Sequence, residues 1–232
     1  VQKLADLYGA HLDDFARIIT AEMGSPMLFS QVAQAPMPQV MLQYFVDLAR
    51  TFAFEERRDG IFGPMLVRRE PVGVVGAIVP WNVPQFVSMS KIAPALVSGS
   101  TIVIKPAPET PLDAFLLAEL VAEAGIPDGV FNVVPAGREV GEHLVTHPGV
   151  DKIGFTGSTA AGRRIAALCG EQLKRCSLEL GGKSPVLVFA DADLDAAVDA
   201  IMLGVFASCG QMCIAGSRLL VEESVYGRIM EA

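Results

Sequence analysis

Val72-Gly73-Val74-Val75-Gly76-Ala77-Ile78-Val79-Pro80-Trp81-Asn82 is a short, nearly all-apolar run that stops abruptly at a proline, an indole and an amide. A strand buried on both faces has this composition, whereas a half-solvated strand would alternate. Thr101–Ile104, Val130–Val134, Lys152–Phe155 and Val186–Phe189 repeat the character. Helical patterns separate them at Phe86–Val97, Leu112–Ala124, Glu139–Val145, Thr159–Leu168 and Leu194–Phe206, with Gly or Pro at most junctions. Strands and helices alternating at these lengths imply right-handed crossovers and a parallel, doubly wound α/β sheet.

Upstream, Leu4, Leu7, Leu12, Phe15, Ile18 and Ile19 recur at helical spacing up to a stop at Gly24, and a second amphipathic helix follows Pro38. Arg57–Gly63 is turn-rich and leads into a strand at Met65–Arg69, which together read as an exposed hairpin or arm. The chain has 232 residues, 51% of them hydrophobic, with a mean hydropathy of +0.43, enough for a sizeable core and too apolar for disorder. No apolar run approaches the roughly 18 residues of a membrane span. A net charge of −8 argues against a nucleic-acid partner, and four cysteines are too few for a disulfide framework, which favours a reducing, cytoplasmic setting.

Several segments carry chemistry. Phe155-Thr156-Gly157-Ser158-Thr159-Ala160-Ala161-Gly162 closes a strand and opens a helix. Free N–H groups and the positive helix end there suit a phosphate, although an ordinary turn capped by Ser158 reads equally well. Pro80-Trp81-Asn82 lies beyond the carboxyl end of a strand, where ligands bind in open α/β sheets, and its amide could donate to an oxyanion or simply close an Asx-turn. Lys105-Pro106 ends the next strand, where a lysine is either a ribose or phosphate contact or a solvated strand end.

Glu179, in Leu178-Glu179-Leu180-Gly181-Gly182-Lys183-Ser184-Pro185, interrupts a strand-like run. A carboxylate there can be buried and serve as a general base, or it can be a surface residue before a chain break. Cys213 sits in the small-residue loop Gly210-Gln211-Met212-Cys213-Ile214-Ala215-Gly216, a setting open to substrate. Cys209 and Cys213 could suggest a metal pair, but His11, His143 and His147 lack ligand spacing, so no metal is assigned. Cys169 and Cys176 lie in apolar patterns and read as core.

These segments, in this order over essentially the whole chain, resemble the NAD(P)-dependent aldehyde dehydrogenase superfamily. The resemblance implies a Rossmann-like cofactor domain at residues 1–183, with an oligomerisation hairpin at 55–71, and the opening of an α/β catalytic domain at 184–232. It implies that Cys213 attacks an aldehyde, that Asn82 and the Cys213 N–H hold the oxyanion, and that Glu179 activates the water releasing a carboxylic acid. Lys105 would contact the adenosine ribose and Ser158 the pyrophosphate of NAD or NADP. Val79, Pro80, Trp81, Gly157, Thr159, Gly162, Leu180 and Gly181 would line the cleft.

The resemblance further implies a homodimer or homotetramer, and a fragment, inactive alone, of a protein about twice as long. Pro108 replaces the Glu that many NAD-preferring relatives carry three residues after the Lys, which leaves NADP open, with Glu109 one position later. Glu179 favours hydrolysis over acyl transfer to coenzyme A. The alternatives are an NADP-linked semialdehyde or coenzyme-A-acylating dehydrogenase, and a non-catalytic dinucleotide-binding protein of the same fold.

Overall fold

The computed structural model describes residues 1–231. The chain opens with helices α1 (Gln2–Ala10), α2 (Leu12–Met23) and α3 (Met27–Phe29), a π-helical turn (Ser30–Gln34) and helix α4 (Pro36–Thr51). Strands β1 (Glu55–Gly60) and β2 (Gly63–Arg68) follow, then β3 (Val74–Ile78), α5 (Pro84–Val97), β4 (Thr101–Lys105), α6 (Leu112–Glu123), β5 (Phe131–Val133) and α7 (Arg138–Thr146). The remainder is β6 (Lys152–Gly157), α8 (Thr159–Glu171), β7 (Arg175–Leu180), β8 (Pro185–Val188), α9 (Leu194–Phe206), a 3-10 turn (Ala207–Gly210), β9 (Arg218–Val221) and α10 (Glu223–Glu231).

Five strands form one sheet in the order β5-β4-β3-β6-β7, every pair parallel. The chain winds outward from β3 through β4 to β5, then crosses back to β6 and winds the other way. That reversal between β3 and β6 is the topological switch point, beyond whose carboxyl ends ligands bind in sheets of this kind. Alternate β3 residues feed separate cores. Val75 and Ala77 join Ile102, Ile104, Met89, Ile92 and Leu117 on the face covered by α5 and α6. Ile78 joins Val145, Ile153, Phe155 and Ile165 on the face covered by α7 and α8. Gly76 is small by necessity, since a Cβ there would lie 2.9 Å from Ile153 Cδ1.

The N-terminal pattern forms two helices, not one. The break falls at His11 (φ −113°, ψ 21°), and the stacked rings of Tyr8 and Phe15, 4.1 Å apart, hold α1 against α2 across it. Both pack on the α5–α6 layer. β1 and β2 make the exposed antiparallel hairpin, with Ile61 and Phe62 almost wholly solvated at its tip. β8 and β9 pair in parallel with each other and with nothing in the main sheet. No α9 residue is buried. Among the described residues, no helix is long and apolar enough to cross a membrane.

Candidate functional site at the sheet switch point

Val79, buried, donates its N–H to Lys105 O (3.2 Å), continuing the β3–β4 ladder one residue before Pro80 ends it. Trp81 then turns to the surface at 40% exposure, and Pro84 starts α5 at a position where a missing N–H costs nothing. Asn82, between them, donates from Nδ2 to Gln211 O at 2.6 Å. This single bond ties the end of β3 to the loop that bears Cys213. An amide nitrogen carries two N–H groups, so the second stays available for an oxyanion.

The Cys213 loop is unusual backbone. Ser208 (φ 52°), Cys209 (φ 57°) and Gly210 (φ 73°) occupy the left-handed region in succession, which costs on the order of 1–3 kcal/mol for each non-glycine residue. Ser208 is buried, while Cys209 and Cys213 are exposed. After it, Gly216 N donates to Gly204 O at 3.2 Å, and a Cβ at Gly216 would lie 2.3 Å from Val186 Cγ2, so the loop is drawn against α9 and β8.

At the neighbouring strand end, Ser158 caps α8 by accepting from Ala161 N at 3.2 Å, as the bland alternative holds. Its hydroxyl proton and the first N–H groups of α8 remain free for an anion, so capping and phosphate binding coexist. Thr159 and Gly181 are exposed, and Gly157 and Leu180 are half-buried. Gly162 packs so closely that an added Cβ would meet Leu180 Cδ2 at 2.4 Å, which is how α8 reaches the sheet.

The structure decides the burial of four side chains. Lys105 is not a solvated strand end. It is 6% exposed, and its Nζ donates to Pro106 O (2.9 Å) and Ala136 O (2.8 Å), leaving one N–H uncommitted. Burial lowers its pKa and the charge of Glu109 partly restores it. Cys176, near the start of the edge strand β7, is exposed rather than core; Cys169, on α8, is buried. Burial, with Cys176 beside it, pushes the Cys169 thiol up to about 11, so it is inert at neutral pH. Glu179 is also exposed, for the same edge-strand reason, and no hydrogen bond joins it to Cys213 among the described residues.

Lys91 is the residue the sequence reading missed. Its Nζ donates to Thr156 Oγ1 at 2.8 Å, and Thr156 is the cross-strand partner of Glu179. Burial lowers the Lys91 pKa to about 8 while Glu179 opposes the fall, so an ammonium, a hydroxyl and a carboxylate share one face of the β6–β7 edge. A signal existed in the sequence, since Lys91 is the one charged residue of α5. Only the register of β6 with β7 shows what it faces.

Comparison with known proteins accords with this layout. The model of the aldehyde dehydrogenase family matches residues 1–232. The chain is 43% identical over 233 residues to geranial dehydrogenase of Castellaniella defragrans, covering 100% of this chain and 49% of that protein. It is 44% identical over 224 residues to a probable succinate-semialdehyde dehydrogenase [NADP(+)] of Sinorhizobium fredii, covering 95% and 45%. The solved structure of an NAD-dependent aldehyde dehydrogenase from Sinorhizobium meliloti superposes with a TM-score of 0.94 at 43% identity, over 99% of this chain and 46% of that one. The chain thus spans about half the length of the curated relatives it matches. Its sheet order, the motifs at the switch point and the family match over residues 1–232 agree: the chain belongs to the aldehyde dehydrogenase family.

Proposed function

We propose that the protein bearing this chain oxidises an aldehyde to a carboxylic acid with NAD(P), using Cys213 as nucleophile. The observation that carries the reading is the Asn82–Gln211 bond, which brings an amide donor from the β3 end to the loop of an exposed thiol. Cys213, exposed, loses its proton to solvent, and its sulfur bonds to the carbonyl carbon as the C=O π pair moves onto oxygen. The oxygen becomes an anion, held by the free N–H of Asn82 and the backbone N–H of Cys213, a type of contact worth about 2.7–4 kcal/mol in the transition state. NAD(P), when bound, supplies the hydride acceptor that leaves a thioester on the sulfur. Glu179 takes a proton from water, the hydroxide attacks the thioester, the C–S bond breaks and the acid departs with the thiol restored.

The cofactor fits the residues present. The uncapped N–H groups of α8 with the Ser158 hydroxyl suit a pyrophosphate, and the uncommitted N–H of Lys105 suits a ribose hydroxyl. Val79, Pro80, Trp81, Gly157, Thr159, Gly162, Leu180 and Gly181 are assigned to the cleft walls. A second reading, NADP use, is favoured by Pro108, which offers no carboxylate to repel a 2′-phosphate, and by the NADP(+) named for one relative. Glu109 acts the other way, since its charge reaches Lys105. A cytoplasmic homodimer or homotetramer joined through the β1–β2 hairpin completes the proposal.

The test is a Cys213→Ser variant of the full-length protein. Aldehyde oxidation is expected to vanish while binding of NAD(P) is kept. Oxidation at the unsubstituted rate would exclude Cys213 as the nucleophile.

A further inference from the structure

A π-helical turn lies between α3 and α4, closed by Ala35 N donating to Ser30 O over five residues at 3.0 Å. Such turns are rare and recur at functional sites. This one is pinned by Thr20 Oγ1 donating to Ser30 Oγ at 2.9 Å, and its last residue is Gln34. The Gln34 side chain is buried at 3% exposure. Its Nε2 lies 3.3 Å from Ser208 Oγ and 3.5 Å from Asn82 O, the outer limit of a hydrogen bond. Asn82 Nδ2 donates to Gln211 O, and Gln211 N donates to Ser208 O at 3.1 Å, so the four residues close a ring. Gln34 therefore touches both segments that carry the oxyanion donors assigned above. It also meets Ser208 where the backbone enters its left-handed run.

We propose that Gln34 is a positioning residue for the oxyanion site. Presented by the π turn, its amide fixes Ser208 and the Asn82 backbone against each other, and so sets the separation between the Asn82 side chain and the Cys213 N–H. The inference rests on the functional reading above. A buried amide is needed for this because two donors must face one oxygen to within a fraction of an ångström, and a strained loop without a brace would relax away from that geometry.

The experiment measures kcat, both KM values and the unfolding midpoint of the full-length protein as Gln34→Met, Ser208→Ala, Asn82→Ala and the Gln34→Met/Asn82→Ala double variant. Gln34→Met keeps the volume and removes the amide. It is expected to lower kcat by roughly 10- to 100-fold with the KM for NAD(P) within about 2-fold. In the Asn82→Ala background the same change should cost less than about 3-fold, because the donor it positions is already gone. A merely structural role would give the same loss in both backgrounds, and that result, or an unchanged kcat, overturns the proposal. If Gln34→Met does not fold, Ser208→Ala paired with Asn82→Ala carries the same comparison. Impaired Asn82→Ala beside intact Gln34→Met sinks the positioning role alone. Wild-type turnover by Asn82→Ala overturns it together with the oxyanion assignment.

Discussion

Asn82, Lys91 and Glu179 reach the site by different routes, and their substitutions should fail differently. Asn82→Ala removes a donor that acts on the developing oxyanion, so kcat should fall by roughly 10²–10³ with little change in aldehyde KM, read by steady-state kinetics. Lys91, an ammonium below about pH 8, bonds Thr156 Oγ1, and Thr156 pairs with Glu179 across the β6–β7 edge. Lys91→Met should therefore remove a titration near pH 8 from the kcat/KM profile, and an unchanged profile would separate Lys91 from the reaction. The sequence carries Asn82, Glu179 and Cys213 plainly, each as a reactive side chain among small or apolar neighbours. It says nothing of the Lys91–Thr156–Glu179 grouping, because strand register is set by the whole sheet. Nor does it forewarn of left-handed Ser208 and Cys209, since only Gly210 beside them is a residue that favours that backbone.

At the scale of elements, buried apolar runs are the legible part. The five main-sheet strands lie where such runs or strand-like stretches stand in the sequence, displaced by a residue or two at their ends, because a parallel sheet covered on both sides demands unbroken hydrophobic stretches. β9 escaped because Arg218–Val221 is largely exposed, and the π turn escaped because its hydrogen bonds answer to tertiary packing. Two junctions give testable consequences. Gly162→Ala places a methyl against Leu180, and should destabilise the fold by about 1–3 kcal/mol in thermal unfolding as α8 is pushed from β7.

At the start of α6, Asp113 is nearly wholly buried beside Gln85, Tyr8 and Glu22, and burial lifts its pKa from 3.8 to about 7. A carboxyl with a raised pKa stabilises the fold fully below about pH 4, and loses that contribution as pH climbs toward 7 and the buried group ionises. The loss is on the order of 4 kcal/mol at most. Asp113→Asn should flatten this slope and raise the unfolding midpoint at pH 8 relative to the parent; a steeper slope would contradict it.

For the molecule as a whole, the sheet is complete around its switch point while its surroundings are open. Met202, Leu203 and Phe206 on α9, Leu187 on β8 and Leu220 on β9 all stand more than half exposed, as do Ile61 and Phe62 on the hairpin. If the hairpin joins subunits, Phe62→Asp in the full-length protein should shift the assembly to a smaller species in sedimentation; an unchanged assembly would free the hairpin of that role. The central claim is covalent: an acyl group passes through Cys213 and leaves by water that Glu179 activates. Intact-protein mass spectrometry of full-length Glu179→Gln, quenched in acid after a single turnover with aldehyde and NAD(P), tests it most directly. An acyl adduct, mapped by proteolysis to Cys213 and absent from Cys213→Ser, is the predicted result. Product formed at the parent rate with no adduct on Cys213 would contradict it.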